Sequence, residues 1–390
     1  MKIAHIVPGI SPNFGGPSVA LIGLAHAQRE LGVDAEIITT NADPAGRTDV
    51  PLGRPVEQQG ARVTYYNVWP RGRYAFSPQL ARALAQSVRE YDLLHVHWLY
   101  NFSPLLASLL AARAAVPYVL QPNGSLHPGL MQKNALVKRA YLATLGRFVI
   151  RNASGIIFTS EAERDHAGVD CGRVPAHVVP VGLRWQEYAA PPPPGEFRAQ
   201  YPHLADKRIV LFLGRVGRQK GLDLLVPAFQ DVARCYPDAH LVIAGPDGEG
   251  YRAQVEAWVA EAGLESRVTF TGRLEGRTKL AAYVDCNVFV LSSHGENFGA
   301  AVTEAMACGK PVVVSDRVDI AEEIVRGGAG VMVSCTPESV AAGLSRLLDD
   351  PALAAGLGER GRALIQRKFT WEAAVPRLIG IYESVLERGR

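Results

Sequence analysis

Short apolar runs alternate with longer amphipathic stretches along the whole chain. Continuous apolar runs are typical of strands buried on both faces, and a 3.6-residue period is typical of helices packed on them. The pattern therefore predicts an α/β fold with two doubly wound parallel sheets. The predicted strands are 3–7, 35–39, 63–66, 93–97, 118–121, 155–158 and 178–180, then 209–213, 240–244, 268–271, 288–292, 312–315 and 331–333; clear helices are 19–31 and 78–90.

A proline-rich stretch interrupts this alternation at 189–195. Proline segments are stiff and resist helix and sheet, so this one predicts a linker between two domains. The domains are then 1–188 and 196–370, followed by a last helix at 371–390. One helix after the linker shows its core face directly, with apolar residues at Leu222, Leu225, Phe229, Val232 and Tyr236.

Composition narrows the class of protein. The 390 residues are 48% hydrophobic and 20% charged, which suits two or three globular domains. No apolar run reaches the roughly 18 residues that span a bilayer, and we expect no signal peptide. The five cysteines form no Cys-x-x-Cys pair, so we expect reduced thiols and a cytoplasmic location.

Charge is uneven between the two halves. Residues 1–185 carry 18 Lys/Arg and 12 Asp/Glu, a formal charge of +6, and the remainder carries −3. This difference suggests that the two domains meet different partners.

Two glutamates are the most informative residues. Glu296 follows the predicted strand 288–292, and Glu304 lies about one turn inside the next helix. Free backbone N–H groups near 299–301 lie between them, where a diphosphate is favoured. One carboxylate could meet a sugar hydroxyl and the other a ribose. Taken alone, the pair is also compatible with an ordinary loop carboxylate and an ordinary helical Glu.

Glycine-rich loops follow other strands of the second domain. Gly214 and Arg215, with Lys220 further on, could hold phosphate oxygens through close backbone approach and two cations. Gly245 follows the next strand, and Arg273 and Leu274 follow the third, where backbone could meet a base. Each loop alone could equally be a solvated turn.

The first domain offers weaker signals. Gly15 and Gly16 open its first helix, but no dinucleotide-binding fingerprint is present. His95 and His97 share one strand face, with no third metal ligand nearby in sequence, so we expect no metal site. The strand could instead place His97 at the site, and a loop carrying Asn123 and His127 could receive an acceptor. No Asp-x-Asp motif occurs.

The segment 131–151 combines Lys133, Lys138, Arg139, Arg147 and Arg151 with bulky apolar residues. Such a helix could lie on an anionic membrane, on the inner face of the plasma membrane. It could also be a core helix with a solvated outer side.

Together these motifs resemble the retaining glycosyltransferases of family 4, which have the GT-B architecture. The resemblance rests on Gly214-Arg215 with Lys220-Gly221, on Gly272, on Glu296-Asn297-Phe298-Gly299 and on Glu304. It implies two Rossmann-like domains facing each other across a cleft, with the last helix returning to the first domain.

The resemblance also implies roles for residues. Catalysis would involve Glu296, Arg215, Lys220 and His127. The donor sugar nucleotide would be bound by Gly15, Gly16, Gly214, Arg215, Lys220, Gly245, Arg273, Leu274, Glu296, Asn297, Phe298, Gly299 and Glu304. The acceptor would meet His97, Asn123 and His127. Many relatives have His where this chain has Asn123, so either Asn123 or His127 fills that role.

The expected reaction is transfer of a hexose from a UDP-sugar, with GDP-mannose as the rival donor, without cofactor or metal. The expected acceptor is a lipid-linked glycan in bacterial polysaccharide synthesis, with no nucleic acid involved. A soluble enzyme that makes a small glycoside is one alternative. A non-catalytic partner protein that binds nucleotide sugars is another.

Overall fold

A computed structural model of the chain describes residues 1–44, 46–69, 74–127, 135–168, 171–248 and 250–388. The chain forms two compact units. The first contains Met1–Leu183 and the residues from Trp371 onward, and the second is Arg184–Thr370. Each unit is built on one sheet with helices on its faces.

The first unit has an eight-stranded sheet of order β10-β9-β8-β7-β1-β2-β6-β5. The direction in which successive strands are added to the sheet reverses between the neighbouring strands β1 and β7, which pair His5 with His95. The carboxyl ends at such a reversal commonly form ligand sites. The strands are β1 Lys2–Ile6, β2 Asp34–Thr40, β5 Pro55–Gln58, β6 Ala61–Tyr66, β7 Leu93–His97, β8 Tyr118–Gln121, β9 Gly155–Phe158 and β10 Ala176–Val178, with a small hairpin of β3 Ala42–Asp43 and β4 Gly46–Arg47.

One edge of this sheet differs from the sequence prediction of a parallel sheet. Strand β5 was not predicted, and it pairs with β6 in the antiparallel direction. The connecting turn has positive φ at both Gln59 (49°) and Gly60 (83°), which is the geometry of a tight hairpin turn. An antiparallel edge strand of this kind is common on otherwise parallel sheets.

Helices cover both faces of the first sheet. The C-terminal helix belongs to this unit, because Trp371, Val375, Leu378 and Tyr382 pack in the same core cluster as Leu21. This agrees with the expectation that the chain returns to its first domain. The helices are α1 Gly16–Glu30, α2 Pro78–Ser87, α3 Phe102–Ala114, α4 Ala135–Tyr141, α5 Arg147–Arg151, α6 Glu161–Asp165 and, at the C-terminus, α16 Trp371–Arg388.

The second unit has a wholly parallel sheet of order β13-β12-β11-β14-β15-β16. This is the 3-2-1-4-5-6 order of a Rossmann fold, with its reversal between β11 and β14. The strands are β11 Arg208–Leu213, β12 Ala239–Ala244, β13 Val268–Gly272, β14 Val288–Leu291, β15 Val312–Ser315 and β16 Gly330–Val333. The helices are α7 Trp185–Ala189, α8 Glu196–Gln200, α9 Leu222–Cys235, α10 Tyr251–Glu261, α11 Gly276–Asp285, α12 Ala300–Ala307, α13 Ala321–Arg326, α14 Pro337–Asp349 and α15 Pro351–Lys368.

The boundary between the units lies earlier than the composition suggested. Helix α7 precedes the prolines but packs within the second unit, where Arg362 lies 4.8 Å over the Trp185 ring. Asp285 accepts a hydrogen bond from the Gly195 backbone N–H (2.6 Å), which ties the end of the proline stretch to the same unit. The stiff prolines are therefore anchored, and the crossing point is Leu183–Arg184.

The predicted helix 131–151 is interrupted. Residues 131–134, including Lys133, lie outside the described residues, and a π-helical turn at Leu142–Gly146 separates α4 from α5. Within the described ranges, none of the helices combines the length and apolar character needed to cross a bilayer.

Candidate functional site

Four loops of the second unit meet at the carboxyl edge of its sheet. Backbone hydrogen bonds join them in pairs: Gly214 N to Ala244 O (2.9 Å), Gly245 N to Gly272 O (2.7 Å) and His294 N to Gln219 O (2.9 Å). The glycine loops and the Glu296 loop, which sequence analysis considered separately, are thus one hydrogen-bonded surface at the reversal of strand order.

The centre of this surface is an ion pair between Lys220 and Glu296. Each of the two side chains is 20% exposed, so the pair is partly shielded but reachable. Backbone fixes Glu296 from both sides, since its N–H donates to Arg317 O and its carbonyl accepts from Asp319 N, both at 2.9 Å. The exposed Arg215 carries its aliphatic stem against Gly248 on the neighbouring loop.

Helix α12 begins directly beside Glu296. Its N-cap is Gly299 (φ 78°), which has no side chain to cap the helix, so the start of α12 suits an anion. Phe298 anchors the turn, being 7% exposed and 5.8 Å from the Phe369 ring. Asn297, which lies between Glu296 and Phe298 in the sequence, is half-buried.

Glu304, one turn inside α12, is held by two residues that sequence analysis missed. Lys279 Nζ lies 2.8 Å from one carboxylate oxygen, and the Tyr283 hydroxyl donates to the other at 2.9 Å. Burial and the Glu304 charge raise the pKa of Tyr283 well above its ordinary value, so the hydroxyl remains a donor. Lys279 and Tyr283 are four apart on one helix face, but nothing local in the sequence connects them to Glu304.

The remaining donor candidates are more exposed. Arg273 forms an ion pair with Glu275 at 2.7 Å, and Leu274 is half-buried. Gly15 and Gly16 lie in the first unit at the start of α1, both exposed.

In the first unit, His97 lies in the core instead of at the surface. It is 3% exposed, and its ring stacks on that of His95 with centroids 4.2 Å apart. The parallel register brings in a third imidazole, His5, whose Nδ1 lies 3.0 Å from His97 Nε2. Direct contact of His97 with an acceptor does not agree with this burial.

Burial keeps these imidazoles neutral. It lowers the pKa of His5 to about 4 and, together with the neighbouring imidazoles, lowers the pKa of His95 and His97 well below the ordinary value. One ligand nitrogen from each histidine lies within 4.8 Å of the others. The His5 and His97 nitrogens share a hydrogen bond, and the His95 and His97 rings are stacked, so the three imidazoles form one hydrogen-bonded, stacked cluster.

The loop after β8 carries the other acceptor-side candidates. Asn123 has a positive φ of 51°, and Ser125 N bonds to Pro122 O at 3.1 Å, which closes a tight turn. His127 N then bonds to Gly124 O at 3.0 Å, and the His127 side chain is half-buried. Glu163, which sequence analysis did not single out, accepts a bond from Gly124 N at 2.6 Å.

Comparison with known proteins gives a consistent picture for both units. The family described as "Glycosyl transferases group 1" matches residues 195–364, and "Glycosyl transferase 4-like domain" matches residues 15–182. A D-inositol 3-phosphate glycosyltransferase of Kineococcus radiotolerans is 29% identical over 96% of this chain and 91% of its own. The GDP-mannose:cellobiosyl-diphosphopolyprenol alpha-mannosyltransferase of Komagataeibacter xylinus is 27% identical over 100% of this chain and 94% of its own.

Solved structures share the fold along the whole chain. Anabaena Alr3699/HepE, in complex with UDP and glucose, aligns with a TM-score of 0.79 at 23% identity, covering 98% of this chain and 100% of its own. A sucrose-phosphate synthase from Thermosynechococcus elongatus aligns with a TM-score of 0.80 at 24% identity and covers all of both chains.

Proposed function

Because the chain belongs to the glycosyltransferases of the GT-B, family 4 type, we propose that its second unit binds a nucleotide-diphosphate hexose and transfers the hexose with retention. The observation that carries this proposal is the convergence of Lys220 and Glu296 beside the uncapped start of α12. A cation, a carboxylate and free backbone N–H groups within one surface suit a sugar linked to a diphosphate.

The proposed chemistry is electrostatic. The bond between the anomeric carbon and the diphosphate oxygen breaks, a bond to the acceptor oxygen forms, and the acceptor proton leaves with the nucleoside diphosphate. Negative charge grows on the leaving diphosphate, and Lys220, Arg215 and the first N–H groups of α12 stabilise it. These three groups supply the positive charge that a divalent metal provides in other sugar transferases, so we propose a metal-independent reaction.

The two glutamates take different parts in the proposal. When the donor binds, Lys220 contacts the phosphate, and Glu296 accepts hydrogen bonds from hydroxyl groups of the hexose. Glu304, whose oxygens are fixed by Lys279 and Tyr283, accepts hydrogen bonds from the ribose hydroxyls. Gly245, Arg273 and Leu274 line the side where the base would lie. The solved relative with UDP and glucose supports UDP-glucose, and the mannosyltransferase relative supports GDP-mannose; we propose a UDP-hexose.

Nucleotide binding tests the donor proposal. Calorimetric titration with UDP is expected to give a dissociation constant below about 1 mM, and labelled UDP-glucose should be turned over equally with and without EDTA. Tighter binding of GDP than of UDP would reassign the donor to GDP-mannose. If neither nucleotide binds at 1 mM, the enzyme proposal is wrong, and loss of turnover in EDTA would overturn metal independence.

We propose a lipid-linked glycan as the acceptor, reached at a membrane surface formed by α4 and α5. Leu136 and Val137 are 81% and 72% exposed, which is far from the burial expected of a core helix. Lys138 lies 5.3 Å over the Tyr100 ring, and Arg139 and Arg147 are exposed on the same segment. Bulky apolar side chains beside cations suit an anionic lipid surface. The mannosyltransferase relative is named for a diphosphopolyprenol-linked acceptor.

Vesicle flotation tests the membrane surface. The Lys138→Glu/Arg139→Glu variant is expected to lose at least tenfold in binding to vesicles containing anionic lipid, because each basic residue near the surface contributes about 1 kcal/mol. Arg82→Glu/Arg89→Glu makes the same charge change at exposed positions of another helical segment and should float like the wild type. Equal flotation of both variants would favour the alternative, a soluble small-molecule acceptor.

A further inference from the structure

A continuous chain of polar side chains runs through the core of the first unit and ends at the loop after β8, which the family resemblance assigns to the acceptor. We call it the polar chain; it consists of Gln121, Asn123, His97, His5, Gln28, Tyr382 and His95. Five elements contribute: β1, α1, β7, β8 with its following loop, and the C-terminal helix α16. His5, Gln28, His95 and Tyr382 are all fully buried.

Each link of the polar chain is a hydrogen bond between side chains. Gln121 Nε2 donates to Asn123 Oδ1 at 3.0 Å, and Asn123 Nδ2 lies 3.4 Å from His97 Nδ1. His97 Nε2 meets His5 Nδ1 at 3.0 Å, and His5 Nε2 meets Gln28 Oε1 at 2.6 Å. Gln28 Nε2 donates to the Tyr382 hydroxyl at 3.2 Å, which lies 2.6 Å from His95 Nδ1.

The side-chain amides of Asn123 and Gln28 fix the direction in which the hydrogen bonds run along the polar chain. Since Asn123 offers an N–H to His97 Nδ1, that nitrogen is an acceptor, and the ring proton must lie on Nε2. His97 Nε2–H then donates to His5 Nδ1, and His5 Nε2–H donates to Gln28. Gln28 donates to Tyr382, whose O–H donates to His95 Nδ1. All three neutral histidines are therefore Nε2–H tautomers, and among the described residues no hydrogen-bond partner accepts from His95 Nε2.

The polar chain leaves Asn123 little freedom. Its carbonyl oxygen accepts from Gln121, while its N–H₂ group faces both His97 and the Gln121 backbone oxygen at 3.3 Å. On the other side of the turn, the 2%-exposed Glu163 accepts from Gly124 N (2.6 Å), Thr159 N (2.7 Å) and the Thr159 hydroxyl (2.8 Å). The turn that carries Asn123 is thus held by the polar chain on one side and by Glu163 of α6 on the other.

A buried polar network adds little to the stability of a fold, because an apolar core of the same volume is often as stable. Its hydrogen bonds do, however, favour one geometry over others. From this geometry we propose that the polar chain and Glu163 are positioning residues, which hold the loop 122–127 in one conformation for the acceptor. Asn123 then acts by fixing the loop and not as the catalytic side chain. This inference rests on the proposed transfer function.

Histidine tautomers test the arrangement independently of activity. In ¹⁵N-histidine-labelled protein, long-range ¹H–¹⁵N spectra should show His5, His95 and His97 as neutral Nε2–H tautomers at pH 7. Tyr382→Phe removes the donor to His95 Nδ1 and should change the His95 signals. Tyr118→Phe is the matched control, because it removes another buried tyrosine hydroxyl bond, to Val149 O, outside the polar chain. Nδ1–H or mixed tautomers in the wild type would overturn the assigned direction.

Transfer measurements test the positioning role. With UDP-glucose and membranes as the acceptor source, Tyr382→Phe and Glu163→Gln should each lower the ratio of sugar transferred to lipid over sugar released to water about tenfold. Their UDP affinity should stay unchanged, and Tyr118→Phe should keep the wild-type ratio. Glu163→Gln should leave the histidine tautomers as they are. An unchanged ratio in both variants would refute positioning, whereas a wild type that binds no nucleotide would refute the proposed function and leave the tautomer result standing.

Discussion

Glu296→Gln is expected to lower kcat by a factor of about 100 to 1,000 while the second unit stays folded. The carboxylate forms an ion pair with Lys220, and backbone bonds on both sides fix its place. The amide keeps the shape but loses the charge, so it can neither balance the ammonium nor accept two hydroxyl donors as strongly. Steady-state kinetics with the donor identified by titration, together with a thermal melt, measure both parts.

A second ion pair of the same unit provides the control. Lys368 pairs with Glu323, whose side chain is 16% exposed, so the degree of burial is similar to that of Glu296. Glu323→Gln breaks that pair far from the glycine loops in sequence and should change kcat less than twofold. Equal activity of Glu296→Gln and the wild type would show that the Glu296 carboxylate has no part in the proposed reaction.

Gly221→Ala is expected to have the largest effect on the binding surface itself. Gly221 has φ 67°, and a Cβ there would lie 1.9 Å from the backbone oxygen of Ser292. Backbone cannot yield as a side chain can, so the Lys220 loop and the Glu296 loop must separate. We expect a loss of about 3 kcal/mol or more in the free energy of unfolding and at least a 100-fold loss of UDP affinity.

Gly217→Ala, in the same loop, is the matched comparison. Gly217 has an extended backbone (φ −166°), and a Cβ there would meet nothing within 4 Å. Denaturant unfolding and UDP titration should therefore place this variant within about 0.5 kcal/mol of the wild type. Similar losses for both alanines would mean that the close contact between the two loops does not control the site.

The second unit shows how far local pattern goes. Most predicted strands agree with the structure to within two residues, since a buried parallel strand is a continuous apolar run that local sequence displays. The buried face of α9 was also predicted from the sequence. Its residues Leu222, Leu225, Phe229 and Val232 are buried, while Tyr236 lies just beyond the end of the helix. The parallel sheet order then brings the predicted loops to one edge.

The first unit shows where local pattern ends. Strand β5 was missed because its alternating exposed and half-buried residues carry little apolar signal. The domain boundary lies at Leu183–Arg184 but was predicted later in the chain, because proline composition does not show which core a segment packs on. His97 was expected near substrate, but its ring is buried against that of His95, which in turn bonds to Tyr382 of α16, 287 residues away in sequence.

The amino-acid sequence by itself determined the βα alternation, the two sheets and the spacing of Glu296 and Glu304 with the basic glycine loop, because these features depend on neighbours a few residues apart. Tertiary structure alone decided that Lys220 pairs with Glu296, that Lys279 and Tyr283 hold Glu304, and that His5 and Tyr382 join His97 and Asn123. Those contacts join residues tens to hundreds of positions apart, and strand order and helix docking, which local periodicity does not encode, bring them together.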